Sequence, residues 1–100
     1  MPSYNKLVRD KIPEILDKKG VVYEKRIAGQ EEYKAELIKK LSEEAAEFAE
    51  KGDVEELADV LEVIESLKTL PEYAQVQEIR LQKREERGGF DKRVILKGEK

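Results

Sequence analysis

From Glu31 to Lys51 the chain contains neither glycine nor proline and is built largely of Ala, Leu, Glu and Lys. These residues lose little rotamer freedom in a helix, and nothing in the run interrupts one. It therefore predicts an α-helix of about six turns. Gly52-Asp53 breaks that helix, and Asp53 can cap a second one running to about Leu70, where Pro71 forces a restart. Two helices joined by so short a break must double back on each other as an antiparallel hairpin.

The remaining segments are shorter. Pro13 suits the first turn of a short helix, having no N–H to lose there, and Gly20 ends it. Val21 to Ile27 is rich in β-branched residues and partly alternates, so it reads as a short strand. A more polar helix is expected from Glu72 to Arg87, stopping at Gly88-Gly89. The tail from Lys92 to Lys97 contains Val94-Ile95-Leu96, a second short strand able to pair with the first. No internal repeat, low-complexity tract or linker divides the 100 residues. The expected fold is one mainly α domain over residues 1–100: a helical hairpin, a third helix and a minor two-stranded β element.

A chain of this length buries only about 65% of the surface its unfolded form exposes. Lys and Arg number 20 against 23 Asp and Glu, a net charge of −3 with both signs interspersed. That balance argues against a dedicated nucleic-acid or anionic-membrane binder. No apolar run approaches the roughly 20 residues of a membrane span, and no signal-peptide core precedes the first helix, so the expected location is the cytoplasm. There is no Cys and no His, which excludes thiolate nucleophiles, imidazole bases, disulfides and Cys/His zinc sites. Chemistry here falls to carboxylates, amines, guanidiniums, hydroxyls or a bound metal.

The carboxylates are not all where solvation would put them. On a helical wheel, the first long helix has an apolar arc of Tyr33, Leu37, Ile38, Leu41, Ala45 and Phe48. Glu44 follows Leu37 by seven residues and falls inside this arc. Glu47 sits at its edge, whereas Glu36, Glu43 and Glu50 project away. The second helix has a wider arc of Val54, Leu57, Ala58, Leu61 and Ile64 together with Val60, Val63 and Leu67. Glu56 aligns with those three, and Asp59 lies along the margin. Each helix thus carries two acids at i, i+3 towards one inter-helix groove. Burying an unpaired carboxylate costs several kcal/mol, roughly, or neutralises it. A hard cation such as Mg²⁺ or Mn²⁺ would relieve the repulsion and can also bridge phosphate oxygens. A plainer account exists too: Asp53-x-x-Glu56 has the spacing of a capping box, and acids on an apolar arc can pair with lysines.

Basic residues form two groups. Arg80, Lys83, Arg84 and Arg87 share one face of the last helix, and Lys6, Arg9 and Lys11 lie near the N-terminus. Either group can hold phosphate oxygens, or be a solvated face balanced by neighbouring Glu. Phe90 suits core packing better than base stacking. No glycine-rich phosphate loop is present, which removes P-loop and Rossmann readings.

Leu41-Ser42-Glu43-Glu44-Ala45-Ala46-Glu47, followed by Glu55-Glu56-Leu57-Ala58-Asp59-Val60-Leu61, resembles the paired ExxE and ExxD motifs of the all-α nucleoside triphosphate pyrophosphohydrolases. That superfamily includes MazG proteins, dimeric dUTPases and phosphoribosyl-ATP pyrophosphohydrolase. Asn5-Lys6-Leu7-Val8-Arg9-Asp10-Lys11-Ile12-Pro13-Glu14 and Lys83-Arg84-Glu85-Glu86-Arg87-Gly88-Gly89-Phe90 resemble the flanking signatures of a small, phosphoribosyl-ATP pyrophosphohydrolase-like house-cleaning branch. The resemblance covers almost the whole chain.

It implies Mg²⁺-dependent cleavage between the α- and β-phosphates of a nucleotide, with Mn²⁺ as the alternative ion. By position it implies Glu44, Glu47, Glu56 and Asp59 as metal ligands, with Glu43 or Glu47 orienting or deprotonating the attacking water. It raises Lys6, Arg9, Lys11, Lys83, Arg84 and Arg87 as phosphate-binding candidates. It also implies a homodimer or higher oligomer, in which association completes a four-helix bundle; the wide apolar arc of the second helix suits burial on two sides. Only eight residues separate Glu47 from Glu56, a shorter connection than most of the superfamily has, and no counterpart of its base-binding residues is evident. Alternatives from other classes are phosphoribosyl-ATP pyrophosphohydrolase-type activity, a helical association module, a metal-stabilised structural protein and a nucleotide sensor without turnover.

Overall fold

A computed structural model describes residues 5–99. The chain forms α1 (Ile12–Lys18), α2 (Gln30–Lys51), α3 (Val54–Lys68), a 3₁₀ turn at Pro71–Tyr73 and α4 (Val76–Arg87). The expected mainly helical architecture is present.

Local chemistry sets the bounds of the two long helices. Acids occupy the first turn of α2 (Glu31, Glu32) and Lys51 its last, matching the helix dipole at both ends. Gly52 closes α2 in the left-handed conformation (φ 65°), its N–H donating to the Phe48 carbonyl at 2.7 Å. A side chain at this position would be strained, which is why the break falls on glycine. Asp53 follows in an extended conformation, and its Oδ1 accepts the Glu56 N–H at 2.9 Å, capping α3. Two residues therefore reverse the chain.

The helices run antiparallel: near the start of α2, Lys34 meets residues beyond the end of α3. Its Nζ lies 4.0 Å from Glu72 Oε2 and 5.4 Å from the Tyr73 ring centroid. The α2–α3 pair is the principal helix packing, with the 3₁₀ turn resting on α3 and no comparable interface for α4. Leu37 from α2 and Val63 from α3 are the buried apolar residues among those described. Ile38, Leu57, Leu61 and Ile64, all on the predicted apolar arcs, remain substantially exposed. Two helices cover only one side of each other, so arcs this wide cannot be buried within one hairpin.

Two expectations change. The third helix does not start at Glu72: Pro71 directs a 3₁₀ turn, and α4 begins at Val76. The two-stranded β element does not form among the described residues, and segments 21–27 and 94–96 are both irregular. Segment 21–27 is held to α1 instead. The Val21 N–H donates to the Leu16 carbonyl, and the Tyr23 hydroxyl donates to Asp17 Oδ1 at 2.7 Å. An isolated pair of short strands is marginal in water without a layer beneath it. The described residues form one packed helical hairpin, α2 with α3.

Candidate metal centre

The site starts from the Gly52-Asp53 reversal. Because Asp53 caps α3 through the Glu56 N–H, Glu56 stands one turn into that helix, and Asp59 follows one turn later on the same side. Glu44 faces them from the last two turns of α2. One carboxylate oxygen from each of Glu44, Glu56 and Asp59 lies within 4.8 Å of the others. The side chains of Glu44 and Glu56 are only 15% and 13% exposed.

Each acid also has a cation of its own. Lys40 Nζ lies 3.7 Å from Glu44 Oε1, one helical turn away on α2. Lys51 Nζ reaches Glu56 Oε1 across the reversal at 3.3 Å. Arg9 Nη2 donates to Asp59 Oδ1 at 2.7 Å, joining the N-terminal segment to α3 over fifty positions of sequence. The hydrogen bond and charge of Glu56, with a further contribution from the charge of Glu47, hold the Lys51 amine above its ordinary range. Three bases thus stand against the three acids.

One atom is left over. Glu56 Oε2 is buried and has no hydrogen-bond partner. A buried carboxylate oxygen without a donor carries the full cost of its lost hydration, and a cation is the other partner it can take. Ligand distances of about 2.0–2.6 Å to Mg²⁺, Mn²⁺ or Ca²⁺ place the oxygens around one ion within about 4–5 Å of each other. The spacing of the three acids meets that requirement, and their all-oxygen chemistry suits a hard ion. On these two observations the residues fit a divalent cation.

The other expected site residues fall less closely together. Glu47, at the edge of the arc on the helical wheel, is exposed, its charge is felt by Lys51, and it lies outside the three-acid group. Glu43 is exposed. Arg9 joins the cluster directly, whereas Lys6 and Lys11 are exposed on the same N-terminal segment. On α4, Lys83 and Arg87 are exposed, and Arg84 donates to Asp91 Oδ2 at 2.9 Å. Sequence reasoning passed over Lys40 and Lys51 as counter-ions. The first was detectable from its i, i+4 spacing to Glu44; the second depends on the path of the turn.

No helix among the described residues is long and apolar enough to cross a membrane. No family model, curated protein or solved structure matches the chain.

Proposed function

We propose that the chain is a divalent-cation-dependent nucleotide pyrophosphohydrolase, cleaving between the α- and β-phosphates of a nucleoside triphosphate to leave a monophosphate and pyrophosphate. The carrying observation is the convergence of Glu44, Glu56 and Asp59 from the two helices that bear the ExxE- and ExxD-like segments. The buried, unpartnered Glu56 Oε2 adds a specific demand for a positive partner. When bound, Mg²⁺ or Mn²⁺ supplies an acidified water and charge neutralisation for phosphate oxygens.

In this reading Glu44, Glu56 and Asp59 hold the ion, with Glu47 as a further ligand. Glu43 or Glu47 orients the attacking water and takes its proton. Arg9, already beside Asp59, is the basic group best placed to meet an anionic phosphate by charge-assisted hydrogen bonds. Lys6, Lys11, Lys83, Arg84 and Arg87 are further phosphate-binding candidates. A cytoplasmic role in clearing non-standard nucleotides suits this chemistry, as does a homodimer that closes a four-helix bundle over the exposed apolar arcs.

The test is pyrophosphate release from a panel of ribo- and deoxyribonucleoside triphosphates with Mg²⁺ or Mn²⁺. We expect turnover with at least one nucleotide, and a loss of roughly 100-fold or more on Glu44→Gln or Glu56→Gln, since each removes a ligand charge. No product with any nucleotide overturns the enzyme reading. The pairing of each acid with a base favours one second reading, an association module whose acids only make ion pairs. Calorimetric titration with Mn²⁺ separates the two, because the module binds no ion.

A further inference from the structure

Beyond α4 the chain exposes an apolar segment. Phe90 is 97% exposed, Ile95 92%, Leu96 90% and Val94 69%. The start of this tail is nevertheless held. The Arg84 guanidinium donates to Asp91, and the Arg93 N–H donates to the Phe90 carbonyl at 3.1 Å. The guanidinium also lies so close over Gly89 that a Cβ there would push it aside. Polar groups thus pin the turn to α4, while Phe90 stays in solvent.

The hairpin carries a matching vacancy of apolar contact, an open groove of about 410 Å³ lined by Ile38, Leu41, Ile64, Leu67, Tyr73 and Val76. Val76, in its wall, is also the first residue of α4. The twelve residues of that helix carry the tail about 18 Å away from the groove, and the Arg84–Asp91 pair fastens it at the far end. One chain therefore owns both an apolar arm and an apolar groove and does not bring them together.

We propose that the tail is an exchanged arm: Phe90 and residues 94–96 of one copy fill the Ile38–Leu67–Tyr73 groove of a second, reciprocally about a two-fold axis. Area supports a second copy as the occupant. The chain exposes 9583 Å², whereas a compact monomer of 11.6 kDa exposes about 5,800 Å². The excess is several times the roughly 800–1,000 Å² per partner that a stable interface needs. Each chain carries both an arm and a groove, as a reciprocal exchange requires. The inference rests on the self-association proposed above, and its test keeps the two apart.

The chain has no cysteine, so introduced thiols report unambiguously. A chain carrying Phe90→Cys is refolded and oxidised with a differently tagged chain carrying Leu67→Cys, and Glu50→Cys, at the turn end of α2, serves as the control partner. We expect a disulfide between unlike chains for the 90–67 pair and none for 90–50. In sedimentation, Phe90→Asp combined with Ile95→Asp is expected to weaken association at least tenfold. An oligomeric protein that gives no 90–67 link, or a link without weakened association in the aspartate variant, overturns the arm exchange and leaves self-association standing. A wild-type chain that stays monomeric overturns both.

Discussion

Arg9 shows how much one side chain can decide at this site. Its guanidinium neutralises Asp59, yet Asp59 is also one of three acids spaced to share a cation. One carboxylate cannot serve both fully, so ion and guanidinium compete for Asp59. A partly exposed pair of this kind contributes about 0.5–1 kcal/mol. Arg9→Gln is therefore expected to tighten Mn²⁺ binding by about two- to fivefold in calorimetric titration, while lowering turnover because Arg9 is assigned to phosphate. Unchanged or weaker Mn²⁺ binding would mean that Arg9 positions Asp59 rather than competing for it. At this scale the acids were legible in sequence, since Glu44, Glu56 and Asp59 are placed by helical periodicity alone. The Arg9–Asp59 pair was not, because no local rule connects residues fifty positions apart.

Among the elements, the reversal at Gly52-Asp53 has the widest consequences. Gly52 permits the left-handed end of α2, and Asp53 fixes the first turn of α3 and with it the position of Glu56. Asp53→Ala removes the cap at a cost of about 1 kcal/mol. The expected result is a melting temperature lower by about 4–8 °C, restored largely by Asp53→Asn. Thermal unfolding by circular dichroism measures it, and an alanine variant with unaltered Tm would show that packing alone sets the start of α3. Both hairpin helices could be read from composition and capping residues, and α2 begins one residue before the expected Glu31. The β element was misread because Val21 to Ile27 has strand-forming residues but no sheet to join. Its bonds go instead to α1, through Val21 and Tyr23, and through paired Arg26–Glu32 hydrogen bonds to the start of α2.

The whole molecule is open. Its radius of gyration is 18.0 Å and it extends 55 × 32 × 25 Å, against a radius of about 13 Å for a compact chain of this length. With Leu37 and Val63 as its buried core, the hairpin has little to hold it together alone. If association supplies the missing burial, folding is coupled to assembly and stability depends on concentration. A hundredfold rise in protein concentration is then expected to raise Tm by about 5–10 °C. A Tm independent of concentration, with a monomeric mass, would refute this coupling. By itself the sequence determined the helices, the sharp reversal between them and the acids on their apolar arcs, because all three follow from rules that act within a few residues. Only the tertiary structure decided that three of the four acids converge, that each already has a cation, and that the apolar arcs and the tail stay uncovered. Those outcomes depend on how far two helices can wrap each other and on which distant charges the chain path brings together. The absence of His and Cys and the reversal at Gly52-Asp53 thus lead to one place: a carboxylate cluster at the turn end of the helical hairpin.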